Sequence, residues 1–219
     1  MKIIEVIPDS FQEYEGNHSI CLFTSGCNFR CPGCYNLGKV LKARPIYPNS
    51  MMAVKDNISP MHNAVVILGG EPTMHKEDFL YDLRCIKAYE PSLEIKVFTN
   101  GSNPEYIKRA EGLVDSWSID FKALIDVNKV INKDGYISDG DVVYYETDQD
   151  YIDEVTKSIV YALSYSKQVE VRTTLFEGLK LEVPIEEQAK DIGVYLTSLN
   201  VKHIIQKDFR KNLERKKHG

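Results

Sequence analysis

Three cysteines crowd into the segment SGCNFRCPGCYN, residues 25–36, at Cys27, Cys31 and Cys34. A thiolate is a soft ligand, and three of them at C-x3-C-x2-C spacing can grip one metal centre from several directions. The loop follows the apolar run SICLFTS, with Gly26 placed where a tight turn is needed. A structural zinc ion asks for four protein ligands, and the next candidates in sequence are His18 and Cys21 upstream and His62 and His75 downstream. His18 precedes the strand and Cys21 lies within it, positions that suit packing or solvent better than ligation. Three thiolates instead suit a [4Fe–4S] cluster with one iron free of protein and open to an outside molecule. Cys21 and Cys85, one in a strand and one on an amphipathic helix, read as small buried apolar residues outside the site.

A second signal is LGGEPTM, Leu68 to Met74. Gly69 and Gly70 let the backbone approach a ligand closely, and after Glu71 the ring of Pro72 removes a donor and stiffens the exit. Alone this is an ordinary strand-end turn. Further strand ends carry the same polar character: Thr99, Asn100 and Gly101; Asp120 and Lys122 in SIDFK; and Arg172 with Thr173 and Thr174. Any one of these charges would ordinarily be solvated or salt-bridged. Their coincidence with the cysteine loop, at the strand ends where parallel α/β folds gather ligands, points to a single mouth.

The elements that must position these residues alternate. Runs of β-branched and aromatic residues lie at 19–25, 64–70, 94–100, 115–121, 168–175 and 201–206. Between them, helical spacing appears at Lys76–Tyr89, with Phe79, Leu80, Leu83 and Ile86 on one face, and at Pro104–Val114, Tyr151–Ser164 and Pro184–Asn200. Six strands with intervening helices imply a mainly parallel sheet joined by right-handed crossovers. The expected fold is therefore α/β, a partial (β/α)6 TIM-like barrel, with residues 1–219 as one domain. A loop-rich insertion at about 125–149, containing YYETDQD, reads as a solvated excursion or as a lid or partner surface. The basic end KDFRKNLERKKHG reads as a polar tail.

Composition bounds the partners. The 219 residues are 43% hydrophobic and 27% charged, which is globular, and the net charge of −5 gives no footprint for nucleic acid. Neither a basic head with an apolar segment nor a membrane-spanning run is present, so a cytoplasmic protein with no membrane partner is expected. Five cysteines, an odd number, favour metal or redox chemistry over a disulfide framework.

The cysteine loop and GGEP resemble those of the radical S-adenosylmethionine (SAM) enzymes. In that family the free iron is chelated by the methionyl amino and carboxylate groups of SAM, and the reduced cluster cleaves SAM to a 5′-deoxyadenosyl radical. SGCNFRCPGCYN resembles more closely the loop of the anaerobic ribonucleoside-triphosphate reductase activating proteins, a branch of the glycyl-radical-enzyme activases, because Gly33 precedes the third cysteine and the aromatic Tyr35 follows it. The segments TNG, DFK, VRTTL and IIQKDFR (204–210) extend the likeness. The resemblance implies cluster ligation by Cys27, Cys31 and Cys34. It places Gly33 and Tyr35 beside the adenine, Gly69, Gly70, Glu71 and Pro72 at the amino group, and Asp120, Lys122 and Arg172 at the carboxylate or ribose, with Thr99 and Asn100 also lining the cofactor. It further implies a glycyl-radical enzyme, the anaerobic ribonucleotide reductase, as partner and a reducing donor such as flavodoxin. Two alternatives remain open: a small-molecule radical enzyme such as a 7-carboxy-7-deazaguanine synthase, which Glu15-Gly16 echoes, and a non-catalytic iron–sulfur or zinc module.

Overall fold

The computed structural model describes residues 1–32, 34, 36–132, 142–175 and 180–207. One seven-stranded sheet runs in chain order: β1 (Ile3–Ser10), β2 (Ser19–Thr24), β3 (Ala64–Gly69), β4 (Glu94–Thr99), β5 (Ser116–Asp120), β6 (Gln168–Leu175) and β7 (Lys202–Lys207). All six strands expected from sequence form, and all pair in parallel. The seventh, β1, is antiparallel to β2 and went unpredicted. Its Pro8 and its run of exposed residues hide the strand signal, as edge strands often do.

The helices are α1 (Leu37–Lys42), α2 (Ser50–Asn57), α3 (Glu77–Tyr89), α4 (Pro104–Arg109), α5 (Val127–Ile131), α6 (Asp148–Tyr165) and α7 (Ile185–Ser198), with a 3-10 turn at Pro72–His75. The expected helix from Pro104 stops at Arg109 instead of Val114, and Gly112 then takes a positive φ of 73°. Helix α6 starts three residues before the expected Tyr151 because Thr147 and Asp150 close a capping box.

Period-two alternation sorts the strand residues onto two faces. Ile20, Leu22, Val65, Ile67, Ile95, Val97, Trp117, Ile119 and Val171 face the helices and join Phe79, Leu83, Val155 and Ile192 in the main core. Each such side chain contributes roughly 1.5–3 kcal/mol on burial. The opposite face is concave. Phe23 of β2 and Ile204 of β7 line one cavity, so the sheet has curled far enough to bring its parallel ends around a common interior, a partial parallel β/α barrel. The β1–β2 loop folds beneath it, and Tyr14 plugs the floor with its hydroxyl donating to Glu94 at 2.6 Å.

Residues 125–132 and 142–149 correct the expectation of a solvated excursion. Val127, Val130 and Ile131 are fully buried and Tyr145 nearly so. Residues 133–141, and the basic tail from 208 onward, lie outside the described residues.

Candidate active site

The site is built where β2 and β3 end. Gly26 turns with φ of 78°, and its amide donates to Val40 O of α1 at 2.9 Å. Its carbonyl accepts Glu71 N–H at 2.9 Å, while Gly70 N–H reaches Thr24 O at 3.1 Å. The cysteine loop and the turn after β3 are thus in backbone contact. A Cβ on Gly70 would lie 1.6 Å from Gly26 O, and Gly69 has φ of 108° with Thr24 N 2.8 Å from its notional Cβ. Both glycines are required by this approach of two loops.

The loop is pinned from several sides. Arg30 N–H donates to Ile131 O of α5 at 2.7 Å, Val143 N–H donates to Asn28 O at 3.0 Å, and the Arg30 guanidinium donates to Cys27 O and Phe29 O. The described part of the expected insertion is therefore a wall behind the cysteines. His75 is spent on the same loop: its Nε2 lies 2.8 Å from Ser25 O, and burial holds its pKa below the usual histidine value.

Cys27 is half-buried, Cys31 buried and Cys34 exposed. Burial pushes the Cys27 thiol far above its usual range, with Cys31 and Glu71 adding repulsion. Burial likewise pushes Cys31 up to about 11, against the pull of the nearby Lys122 ammonium. Thiols in this state need a cationic centre to become thiolates, and its uptake must release their protons. That donor set fits an iron–sulfur cluster. It fits a lone zinc ion less well: tetrahedral Zn–S bonds of about 2.3 Å would hold sulfurs roughly 3.8 Å apart, whereas among the described residues the trio of ligand atoms within 4.8 Å of one another is Asp9, His18 and His62.

That trio sits at the opposite end of the sheet and is satisfied by hydrogen bonds. Ser59 N–H donates to His62 Nδ1 at 2.9 Å, which leaves the hydrogen on Nε2, 3.2 Å from Asp9 Oδ1. His18 Nε2 meets the same oxygen at 2.9 Å. Neither histidine joins the cysteines; the position of His18 before its strand suggests this for His18 alone.

Glu71 is fully buried, and its carboxylate turns inward. Oε1 accepts from Thr73 N–H (3.0 Å), Thr73 Oγ1 (2.6 Å) and Thr99 Oγ1 (2.8 Å), and Oε2 from Asn100 N–H (2.6 Å). Burial raises its pKa while these donors oppose the rise. Asn100 Nδ2 continues to Asn28 Oδ1 at 2.8 Å, and Asn28 Nδ2 to Ser102 Oγ at 2.8 Å. Asn103 ties Ser102 to Thr73. One buried network thereby joins the cysteine loop, the GGEP turn and the end of β4. Sequence reasoning missed Asn28, Thr73, Ser102 and Asn103; the only available signal was the polar run after TNG.

A second group lies at the ends of β5 and β6. Lys122 Nζ donates to Asp120 Oδ2 at 2.5 Å, and Asp120 pairs in register with Arg172. Arg172 Nε is 3.9 Å from Asp120 Oδ1, its Nη2 donates to Gln206 at 2.6 Å, and the guanidinium lies 4.8 Å from the Phe98 ring centre. Burial lowers the Lys122 pKa, but Asp120 and Cys31 reverse this and keep the ammonium charged. Lys122 N–H donates to the buried Tyr151 hydroxyl at 2.7 Å, another partner that sequence did not reveal. Of the expected site residues, Gly69–Pro72, Thr99 and Asn100 meet in the first group and Asp120, Lys122 and Arg172 in the second. Gly33 and Tyr35 lie outside the described residues.

The sequence profile of the Radical SAM superfamily matches residues 21–182. The chain belongs to that superfamily. It is 29% identical over 186 residues, 82% of this chain and 70% of the other, to a Methanocaldococcus jannaschii protein provisionally named a glycyl-radical enzyme activating enzyme. A shorter likeness, 27% over 92 residues, covers 38% of this chain and 27% of an S-adenosylmethionine-dependent nucleotide dehydratase of a Fibrobacter species. Among solved structures, anSMEcpe with bound AdoMet and Cp18Cys peptide superposes with a TM-score of 0.56 at 14% identity, covering 84% of this chain. The radical SAM methyltransferase TsrM of Kitasatospora setae does so at 0.57 and 13%, covering 86%. This radical SAM chain spans 48% and 36% of those two chains, respectively. They share its fold, which is that of radical SAM enzymes. Among the described residues no helix is long and apolar enough to cross a membrane.

Proposed function

We propose that this radical SAM protein is a glycyl-radical-enzyme activating enzyme that installs a radical on a backbone glycine of an anaerobic ribonucleoside-triphosphate reductase, drawing electrons from a donor such as flavodoxin. The observation that carries the activase reading is the likeness, over 82% of the chain, to the Methanocaldococcus jannaschii protein provisionally named a glycyl-radical enzyme activating enzyme; the choice of the reductase as partner rests on the resemblance of the cysteine loop. Cys27, Cys31 and Cys34 would hold the [4Fe–4S] cluster. When bound, cluster and SAM together supply a radical able to take a hydrogen atom from a glycine Cα.

The protein's own residues do the placing. Gly69 and Gly70 bring the turn onto the cysteine loop and offer backbone acceptors to the methionyl amino group, with Pro72 fixing the exit. Glu71 acts behind them, holding Thr99 and Asn100 in position. Lys122 and Arg172 offer cations for the SAM carboxylate, a pairing that Arg can make bidentately, and Asp120 orients both. Gly33 and Tyr35 are assigned to the adenine by resemblance.

The test mixes anaerobically reconstituted protein, reductant, SAM and an anaerobic ribonucleotide reductase. A glycyl doublet in the EPR spectrum is expected with wild type and with Cys85→Ala, and its loss, with loss of iron, in Cys31→Ala. SAM cleavage by wild type without any doublet on the reductase would overturn the assignment.

A further inference from the structure

The barrel interior holds an ion pair to which the reading above gives no role at the cluster or SAM. Lys96 of β4 and Glu170 of β6 meet at 3.0 Å across the intervening β5. They can do so because β5 presents the small Ser116 and Ser118 to the concave face between them, Ser116 in register with Lys96 and Ser118 with Glu170. Lys96 is buried, and its ammonium is steadied by the rings of Phe98 at 5.0 Å and Tyr14 at 5.5 Å. Ser118 Oγ beneath is buried without a hydrogen-bond partner.

The pair lines a cavity of about 400 Å³. The upper rim of that cavity is Phe23, Leu68, Phe98 and Arg172, the first two lying one residue before Thr24 and Gly69, where the site loops begin. Lys96 lies two residues below Phe98 on β4, about 7 Å at a rise of ~3.3 Å per residue, while Glu170 stands level in register with Ser118 and Phe98 and two residues below Arg172. A guest chain entering past the rim meets Glu170 first and Lys96 about two residues deeper.

Charge decides what kind of guest. The lining carries Glu13, Glu15 and Glu170 against Lys96, Arg172 and Lys202, and each cation has an acidic neighbour: Glu170 at 3.0 Å, Asp120 at 3.9 Å and Glu15 at 3.8 Å. Among the described residues this cavity offers no surplus of positive charge to a polyphosphate. It matches a neutral guest rich in donors and acceptors. A peptide unit is such a guest, with one N–H and one C=O to place against one carboxylate and one ammonium.

We propose that the Lys96–Glu170 pair reads the main chain of the partner's glycine loop, Glu170 accepting an amide hydrogen and Lys96 donating to a neighbouring carbonyl. This rests on the activase reading above. The pair is a specificity determinant for a peptide and not a mere brace of the barrel.

The experiment uses the reconstituted holoprotein with SAM and a fluorescein-labelled peptide covering the radical-bearing glycine loop of an anaerobic ribonucleotide reductase, read by anisotropy. Two variants are compared. The swap K96E/E170K preserves the ion pair but reverses donor and acceptor, and K96M/E170M replaces it with apolar volume should the swap fail to fold; thermal midpoint and iron content report folding. Weakening of peptide binding by roughly 10- to 100-fold is expected in both, the loss of one or two hydrogen bonds to charged groups. N-methylation at one amide of the peptide should weaken wild type by a similar factor and leave the variants unmoved. Wild-type affinity in the swap, or no sensitive amide in the methylated series, overturns the proposal and leaves a structural brace. Binding of a nucleoside triphosphate that depends on Lys96 also overturns it. If wild type forms no glycyl radical on the reductase while still cleaving SAM, the activase reading itself fails; if wild type and both variants form it equally, only this inference does.

Discussion

Replacing Gly70 by Ala tests whether contact between two backbones builds the site. The new Cβ would stand 1.6 Å from Gly26 O, 2.7 Å from Gly26 C and 2.8 Å from Val40 Cγ1, and real Cβ contacts do not fall below 3.0 Å. The loops must part by about 1.4 Å, with backbone on both sides of the clash and no flexible side-chain end to give way. Overpacking of this kind costs ~1–3 kcal/mol. The separation also strains Glu71 N–H to Gly26 O and Gly70 N–H to Thr24 O, at 2.9 and 3.1 Å, worth ~0.5–1.5 kcal/mol each. The sum is about 2–6 kcal/mol, a fall of roughly 4–24 °C in thermal midpoint at this chain length. Circular dichroism on the purified variant gives the midpoint, and iron and sulfide analysis after reconstitution reports whether the cysteine loop still holds a cluster. Gly38→Ala is the control: it lies in α1 with nothing within 4 Å of a Cβ, so it should be neutral or stabilise by about 0.5–1 kcal/mol. A Gly70→Ala protein that melts within about 2 °C of wild type and takes up full iron would refute the claim that the two loops are in obligatory contact.

Two further outcomes follow from buried polar groups. Glu71→Gln puts an NH2 group where carboxylate oxygens now accept four hydrogen bonds, so at least one donor faces another; the expected cost is ~1–3 kcal/mol per unsatisfied group, seen as a lower urea midpoint. His75 has a folded pKa depressed by burial, so its neutral form is favoured in the fold; its contribution is present above the unfolded value near 6.5 and is lost as pH falls through the lower folded value. Wild type should therefore lose stability in denaturant titrations as pH falls below about 6.5, and His75→Leu should show a shallower slope there; parallel slopes would exclude His75 as a source.

The parallel strands were legible because each is a short β-branched or aromatic run bounded by turn residues, and the mouth was legible because its polar residues follow those runs directly. The Glu71–Asn100–Asn28 network was not, since its paired members lie 29 and 72 positions apart and a polar residue in a loop carries no mark of its partner. Short α5 was hidden within a stretch of Asn, Asp and Gly, yet Val127, Val130 and Ile131 occupy one buried face. Lys96 was concealed differently. EIKVFT reads correctly as a strand, but nothing local says that its lysine points inward to an acid arriving 74 residues later.

The Glu71 network and the Lys96–Glu170 pair share a physical cause. A closed eight-stranded barrel fills its interior with stacked branched side chains, whereas here six parallel strands and one antiparallel edge leave a cavity too wide for apolar layers to close. Polar groups inside it must satisfy one another or a guest, because an unpaired buried charge is far more costly than a paired one. Glu71 solves this with four donors from its own chain, which makes it rigid and therefore suited to holding loops in place. Lys96 and Glu170 solve it with one contact between them, which leaves valences on both heads unspent and facing the cavity. The fully satisfied carboxylate belongs to the frame, and the incompletely satisfied pair is where the interior can still recognise something.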